Sequence, residues 1–284
     1  MNSINHIGIA GSGTMGRGIA QVFAQAGLAV TLYDVLPEAL ENARQQIEQA
    51  LKSLAEKGKL SPEQTTEITG RIRYTLAPEE LKCDVLIEAV AELLPVKQQL
   101  FAQFEQVLSN ESIVVTNTSS LSVTALSAGL RHPHRFAGLH FFNPAPVMKL
   151  VEVVRGELTA PETVQKLVAL VSRTGKHPVV VADSPGFIVN RVARPFYTEA
   201  LKLAEEQVAG IETIDRLMRA TGFRMGPFEL MDLIGNDINY SVTQSVFQAF
   251  SGEPRFRPSR MQELKVKARH LGRKTGKGFY NYDK

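Results

Sequence analysis

The stretch HIGIAGSGTMGRGIAQVFAQAGLAVTLYD, residues 6–34, holds three structural signals in one unit. His6–Ala10 is a short apolar run that reads as a strand. Gly11-Ser12-Gly13-Thr14-Met15-Gly16 follows and opens an amphipathic pattern near Met15–Ala26, which reads as a helix. A second apolar run ends in VTLYD, with Asp34 about twenty residues beyond the last glycine. A strand, a tight turn, a helix and a second strand make the first turn of a parallel, helix-covered sheet.

The same rhythm continues outward. Further strands are expected at Asp84–Val90, Ser112–Thr116, Arg135–Leu139, Lys149–Val154 and Lys176–Val181, because runs such as VLIEAV and IVVT are apolar on both faces. Helices are expected at Pro37–Lys57, Pro95–Leu108 and Pro161–Thr174, with a polar helical hairpin over Lys57–Gly70. At DSPGF (Asp183–Phe187) the pattern changes to helical periodicity, which runs to about Arg269. The fold class is therefore α/β, a Rossmann-type doubly wound sheet followed by an all-α C-terminal domain. The boundaries are 1–183 for the first domain and 184–284 for the second.

The spacing of the glycines has a physical reading. Gly11 permits the tight turn, Gly13 lets a pyrophosphate approach the backbone, and Gly16 lets the helix pack on the strand. Ser12, Thr14 and Met15 complete the loop, and the helix N-terminus offers N–H groups and a positive dipole end to phosphates. Asp34 would accept hydrogen bonds from the adenosine ribose and repel a 2′-phosphate. Val35, Leu36 and Pro37 supply no arginine to reverse that preference, so the implied cofactor is NAD.

Bulk properties narrow the class. Of the 284 residues 44% are hydrophobic and 21% charged, enough apolar content for a core without disulfides or a structural metal. The net charge of +3 permits an anionic ligand, but no basic stripe interleaved with aromatics suggests nucleic acid. No run reaches membrane-spanning length, no signal peptide is expected, and no His/Cys cluster has metal-ligand spacing. The lone Cys83 fits a reducing compartment and a packing role, and a cytoplasmic location is expected.

The chemistry must come from later residues. TNTSSLS places Asn117, Ser119 and Ser120 at the carboxyl end of a strand, the edge where doubly wound sheets bind ligands. HRFAGLHFFNPAPVMKLVEVV carries His140 at one strand end and Glu152 within the next. SPGFIVNR puts Asn190 in the first turn of a helix. Oxidising an alcohol by hydride transfer needs a base for the hydroxyl proton, and a carboxylate on its second nitrogen would fix its tautomer. His140 and Glu152 are the candidate pair. A histidine at a strand end is also a common structural hydrogen-bonder, and a glutamate among valines can pair with a surface cation. Position leaves both open.

GSGTMGRGIAQ, IEAVAELLPVKQQLF, TNTSSLSVTAL, GLHFFNPAPVMKLVEVV, SPGFIVNRV, MGPFELMDLIG and KTGKGFYNY together resemble, in this order, the L-3-hydroxyacyl-CoA dehydrogenases. The resemblance covers essentially the whole chain. It implies His140 as the base, Glu152 as its partner, and Ser119 and Asn190 as groups that bind and polarise the 3-oxygen of a coenzyme A thioester. It places Glu92, Lys97, Ser119 and Asn143 near the nicotinamide half of NAD, and matches Lys274 to a C-terminal lysine that approaches the cofactor. Lys57 falls at a coenzyme A-binding lysine, but Ala50 stands where the family has a serine, which leaves Arg44, Lys52 and Lys59 as other phosphate partners. The implied reaction converts (3S)-3-hydroxyacyl-CoA and NAD to 3-oxoacyl-CoA and NADH. The family also implies a homodimer through the helical domain, for which MGPFELMDLIG supplies an apolar stripe; intradomain core is the other use of that stripe.

NRVARPFYTEA has Arg194 where shorter-chain members have an aliphatic residue, and in this it resembles the 3-hydroxyadipyl-CoA dehydrogenases of phenylacetate catabolism. Arginine binds carboxylates bidentately, so Arg194 or Arg257 is expected to select a dicarboxyl acyl group over acetoacetyl-CoA. A surface or interface salt bridge is the other reading of Arg194. The rival functions are a non-catalytic, crystallin-like NAD-binding protein and a different Rossmann 3-hydroxy acid dehydrogenase. The first would have lost His140 or Glu152, and the second would use a lysine base and lack HFFNP.

Overall fold

Short aliphatic runs hydrophobic on both faces are stable only between layers of helix, and the first 183 residues build that arrangement. In the computed structural model, which describes residues 4–282, the chain divides into two compact units, one up to Asp183 and one from Ser184. The first unit runs β1 (His6–Ala10), α1 (Thr14–Gln25), β2 (Ala29–Tyr33), α2 (Pro37–Glu56), α3 (Pro62–Gly70) and β3 (Ile72–Thr75). It continues with β4 (Val85–Glu88), α4 (Leu94–Phe104), β5 (Ile113–Thr116), α5 (Val123–Ser127), β6 (Phe136–Phe141), β7 (Leu150–Arg155), α6 (Pro161–Arg173) and β8 (His177–Ala182).

The eight strands form one sheet in the order β3-β2-β1-β4-β5-β6-β7-β8. Strand order reverses between β1 and β4, the switch point where such sheets open a crevice at their carboxyl edge. Ile7, Ile9, Leu32, Val85, Ile87 and Val115 are fully buried at its centre. Each contributes roughly 1.5–3 kcal/mol of transfer free energy. The apolar face of α1, with Ile19 and Phe23, closes one side, and Phe23 meets Phe141 edge to face at 6.0 Å.

Two elements were not legible beforehand. The strand β3 is a four-residue edge strand whose Arg73 is exposed, too short and polar for an apolar run. The helix α5 is a single short turn capped by Ser122, whose side chain accepts from the Ala125 N–H. The expected hairpin over Lys57–Gly70 is the join of α2 to α3, where Ser61 and Gln64 form a capping box. Neighbouring strands are parallel except β6 and β7, which pair antiparallel. Only eight residues link Phe141 to Leu150. A parallel crossover needs a dozen or more, so this connection must fold straight back.

The second unit contains α7 (Val189–Glu205), α8 (Ile211–Ala220), α9 (Pro227–Ile234), α10 (Asn236–Ala249) and α11 (Arg260–Lys267). Tyr197, Leu201, Ile214, Phe228 and Met231 form its core. Of the two uses left open for MGPFELMDLIG, Phe228 and Met231 serve the core, being fully buried within the unit, while Leu233 is exposed. Two buried aspartates tie the C-terminal segment to α9. Asp215 accepts from the Phe228 and Glu229 N–H groups and the Tyr280 hydroxyl, satisfying donors at the start of α9. Asp232 accepts from the Phe279 and Tyr280 N–H groups and the Tyr282 hydroxyl. The KTGKGFYNY motif is thereby held by two backbone N–H groups and two tyrosine hydroxyls.

Candidate active site

The glycine loop leaves β1 with Gly11 at φ +100°, a conformation that side chains with a Cβ rarely adopt. A Cβ on Gly16 would fall 1.7 Å from the Gly11 carbonyl oxygen, so strand and helix touch there at backbone distance. At Gly13 a Cβ would meet nothing within 4 Å, so that side of the loop lies open to a ligand. No side chain caps α1 and no acid stands in its first turn, which leaves its positive end available to phosphate. Asp34 accepts from the Ser12 N–H at 2.7 Å and the Ser12 hydroxyl at 2.8 Å. The carboxylate therefore clamps the loop from the end of β2, while its other oxygen accepts from the Leu36 N–H at 3.2 Å. An open backbone face, an uncapped helix end and a fixed carboxylate fit a dinucleotide with an unphosphorylated ribose.

Across the switch point, Glu88 ends β4 and is fully buried. One of its oxygens accepts from the Lys97 ammonium at 2.6 Å and the Val90 N–H at 2.7 Å, and the other from the Thr116 hydroxyl at 2.7 Å. Lys97, 1% exposed, also reaches Glu92 at 3.2 Å. Glu92 accepts from the Thr118 hydroxyl and from the backbone N–H groups of Ser119 and Ser120. Burial works against its charge, but Lys97 and these hydrogen bonds outweigh it and hold the Glu92 carboxyl below its usual range. The result is a chain Glu88–Lys97–Glu92–Ser119 that pins the loop after β5. Glu92, Lys97 and Ser119 were singled out from sequence. Glu88 was missed, because a glutamate inside VLIEAV looks like any residue of a buried strand; the signal was a charge in an otherwise apolar run.

His140 and Glu152 face each other across the antiparallel pair β6–β7, in register. The ring Nδ1 lies 2.7 Å from Glu152 Oε2, and the side chains are 7% and 1% exposed. An ionised carboxylate is acceptor-only, so Nδ1 donates to it, and the tautomer that this bond selects keeps its lone pair on Nε2. His140 sits inside β6, one residue beyond the strand end expected from sequence. Asn117 Oδ1 accepts from the Phe141 N–H at 2.9 Å, joining the end of β5 to the end of β6. Asn143 is exposed just beyond β6, preceding Pro144 through a cis peptide bond.

In the second unit Asn190 is the second residue of α7. Arg194, expected either to bind a substrate carboxylate or to form a surface or interface ion pair, is instead buried among neutral acceptors. It is 3% exposed and donates to the Asn239 carbonyl at 2.9 Å, the Thr243 hydroxyl at 3.0 Å and the Asn190 carbonyl at 3.3 Å. Burial pushes its guanidinium down to about 10, so it is still charged at neutral pH. Among the described residues no carboxylate pairs with it. A substrate carboxylate would reach Arg194 only by opening the packing of α7 on α10. Lys274 pairs with Asp237 at 2.6 and 2.7 Å. In the first unit, Lys57 is exposed at the end of α2 and Arg44 pairs with Glu48 one helical turn on. Among the described residues no group of three or more His, Cys, Asp or Glu could hold a metal ion, and no helix is long and apolar enough to cross a membrane.

Residues 6–184 match the family model described as 3-hydroxyacyl-CoA dehydrogenase, NAD binding domain, and residues 186–282 the model of that family's C-terminal domain. The chain is 49% identical over 284 residues to a 3-hydroxyadipyl-CoA dehydrogenase of Escherichia coli (strain K12), covering 99% of this chain and 60% of that protein. The match thus spans about three fifths of that relative's length. It is 41% identical over 282 residues to a probable 3-hydroxybutyryl-CoA dehydrogenase of Bacillus subtilis (strain 168), covering 99% and 98% of the two chains. The crystal structure of an (S)-3-hydroxybutyryl-CoA dehydrogenase from Ralstonia eutropha superposes with a TM-score of 0.95 at 38% identity, covering 99% of this chain and all of that one.

Proposed function

The chain belongs to the 3-hydroxyacyl-CoA dehydrogenase family, and from that premise we propose that it oxidises (3S)-3-hydroxyacyl-CoA to 3-oxoacyl-CoA with NAD. The observation that carries this proposal is the buried His140–Glu152 pair, 2.7 Å apart, on the sheet that also carries the open glycine loop.

Bound NAD supplies the hydride acceptor. Gly13 and the start of α1 would hold the pyrophosphate, and Asp34 the adenosine ribose. His140 Nε2 takes the hydroxyl proton as the C3 hydrogen leaves with its electron pair, and in the reverse direction returns it. Glu152 holds the ring in the required tautomer and stabilises the imidazolium. Ser119 would donate to the 3-oxygen, where negative charge develops. The Ser119 hydroxyl lies 3.3 Å from Glu92, a long contact that a substrate oxygen can replace. The intact pair speaks against a non-catalytic, crystallin-like role.

For the acyl group the proposal is a short chain or a six-carbon dicarboxyl chain. The 49% identity to the Escherichia coli relative supports the second, and the exposed Arg257 is positioned for solvent access as Arg194 is not. A cytoplasmic homodimer formed through the second unit belongs to the same proposal, supported by exposed Ile188, Val192, Leu217 and Phe223. Light scattering on the purified chain tests the dimer. The function is tested by following NADH oxidation against a panel of 3-oxoacyl-CoA thioesters. Turnover with none of them overturns the proposal. Equal efficiency on 3-oxoadipyl-CoA and acetoacetyl-CoA, unchanged in Arg257→Ala, removes the dicarboxyl preference.

A further inference from the structure

Glu88, Lys97 and Glu92 are two carboxylates around one ammonium, so the cluster carries one surplus negative charge. Holding Lys97 requires only one of those carboxylates. The second charge is costly in a buried site, where Glu88 is 0% exposed and its remaining partners are the neutral Val90 N–H and Thr116 hydroxyl. A surplus charge kept at such a cost invites the question of what it faces.

Its place in the sheet answers. Asp34, at the end of β2, marks the side of the switch point that takes the adenosine half of a dinucleotide. Glu88 ends β4 and Glu92 follows it, on the opposite side of the switch point, where the second mononucleotide half of a bound dinucleotide would lie. That half bears a cationic nicotinamide ring in NAD+ and a neutral one in NADH. A fixed negative charge therefore interacts with the oxidised form and scarcely with the reduced one.

We infer that Glu88 is a positioning residue whose charge, relayed through Lys97 and Glu92, biases the site toward NAD+ over NADH. The inference rests on the NAD-dependent function proposed above. It assigns Glu88 a task beyond folding: with Glu88 present the Lys97 charge is shared between two carboxylates, and the Glu92 end of the cluster, nearest Ser119, keeps a net negative charge. In Glu88→Gln the cluster becomes neutral. In Glu88→Gln with Lys97→Met it returns to a surplus of one negative charge, with the backbone and hydroxyl bonds to Glu92 retained.

Isothermal titration of the full chain with NAD+ and with NADH separates the outcomes. Glu88→Gln should raise the Kd for NAD+ by about three- to tenfold and that for NADH by less than about twofold. The double variant should restore the ratio of the two constants to within about twofold of the unsubstituted protein. A purely structural Glu88 would weaken both ligands together and would not be rescued by removing Lys97. An unchanged ratio in Glu88→Gln, or a shifted ratio that persists in the double variant, overturns the inference. If Glu88→Gln does not fold, Glu92→Gln removes the same charge and must move the ratio in the same direction. An unsubstituted protein that binds neither dinucleotide would instead overturn the proposed function.

Discussion

Glu152→Gln removes a negative charge from the buried side of the His140 ring while leaving the side-chain volume in place. In the unsubstituted pair Nδ1 and Oε2 are 2.7 Å apart, with Glu152 1% exposed, so solvent does little to screen the charge. As His140 takes the substrate proton it becomes an imidazolium next to that carboxylate. Two unit charges about 4 Å apart interact by ~4 kcal/mol at an effective dielectric near 20. Each ~1.4 kcal/mol of transition-state stabilisation is a factor of ten, so losing the charge should slow turnover by about a thousandfold. Glutamine can also turn its amide nitrogen toward Nδ1, which forces the ring into the tautomer that cannot accept on Nε2. Because the interaction develops only with proton transfer, kcat and kcat/KM should fall by similar factors. The assay is steady-state NADH formation from 3-hydroxybutyryl-CoA, with NADH affinity measured in parallel by fluorescence. Affinity should stay within about twofold, and thermal stability should hold or rise, since a buried charge has gone. Turnover within about tenfold of the unsubstituted protein would refute the dyad.

Gly16→Ala would set a methyl group 1.7 Å from the Gly11 carbonyl, so strand and helix must part; NADH titration should show binding lost and the melting temperature lowered. Asp34→Ala frees the Ser12 N–H and hydroxyl and removes the ribose acceptor, so the Kd for NAD should rise about tenfold or more while discrimination against NADP narrows; titration with both nucleotides checks this. Burial pushes the Cys83 thiol from 9.0 up to about 12, so iodoacetamide should modify it at pH 8 only once denaturant opens the fold. The same shift favours the protonated thiol in the folded state: its contribution is complete below the unfolded value and lost as pH rises toward the folded one, so denaturant midpoints should decline between pH 9 and 12.

Residues 6–34 alone determined the strand, loop, helix and acid of the dinucleotide unit, because those signals are local. Gly11 takes a φ of +100° and Gly16 touches the Gly11 carbonyl, positions that favour glycine, and Asp34 must close the second strand to reach the loop. Apolar runs likewise sufficed for the buried strands, whereas the short polar edge strand β3 left no such trace. Position made His140 and Glu152 candidates and the family resemblance gave them their roles, but nothing local said that they would meet. That was decided by the antiparallel return of β7 on β6, which sets the two residues opposite each other. A slip of one residue would turn Glu152 to the other face of the sheet. Tertiary structure also decided the charges: it buried Arg194 among neutral acceptors, and it brought Glu88 to Lys97 from nine residues away. Charge in a sequence is a property of residues one at a time. What a charge does depends on the partners and the dielectric around it, and only packing supplies those.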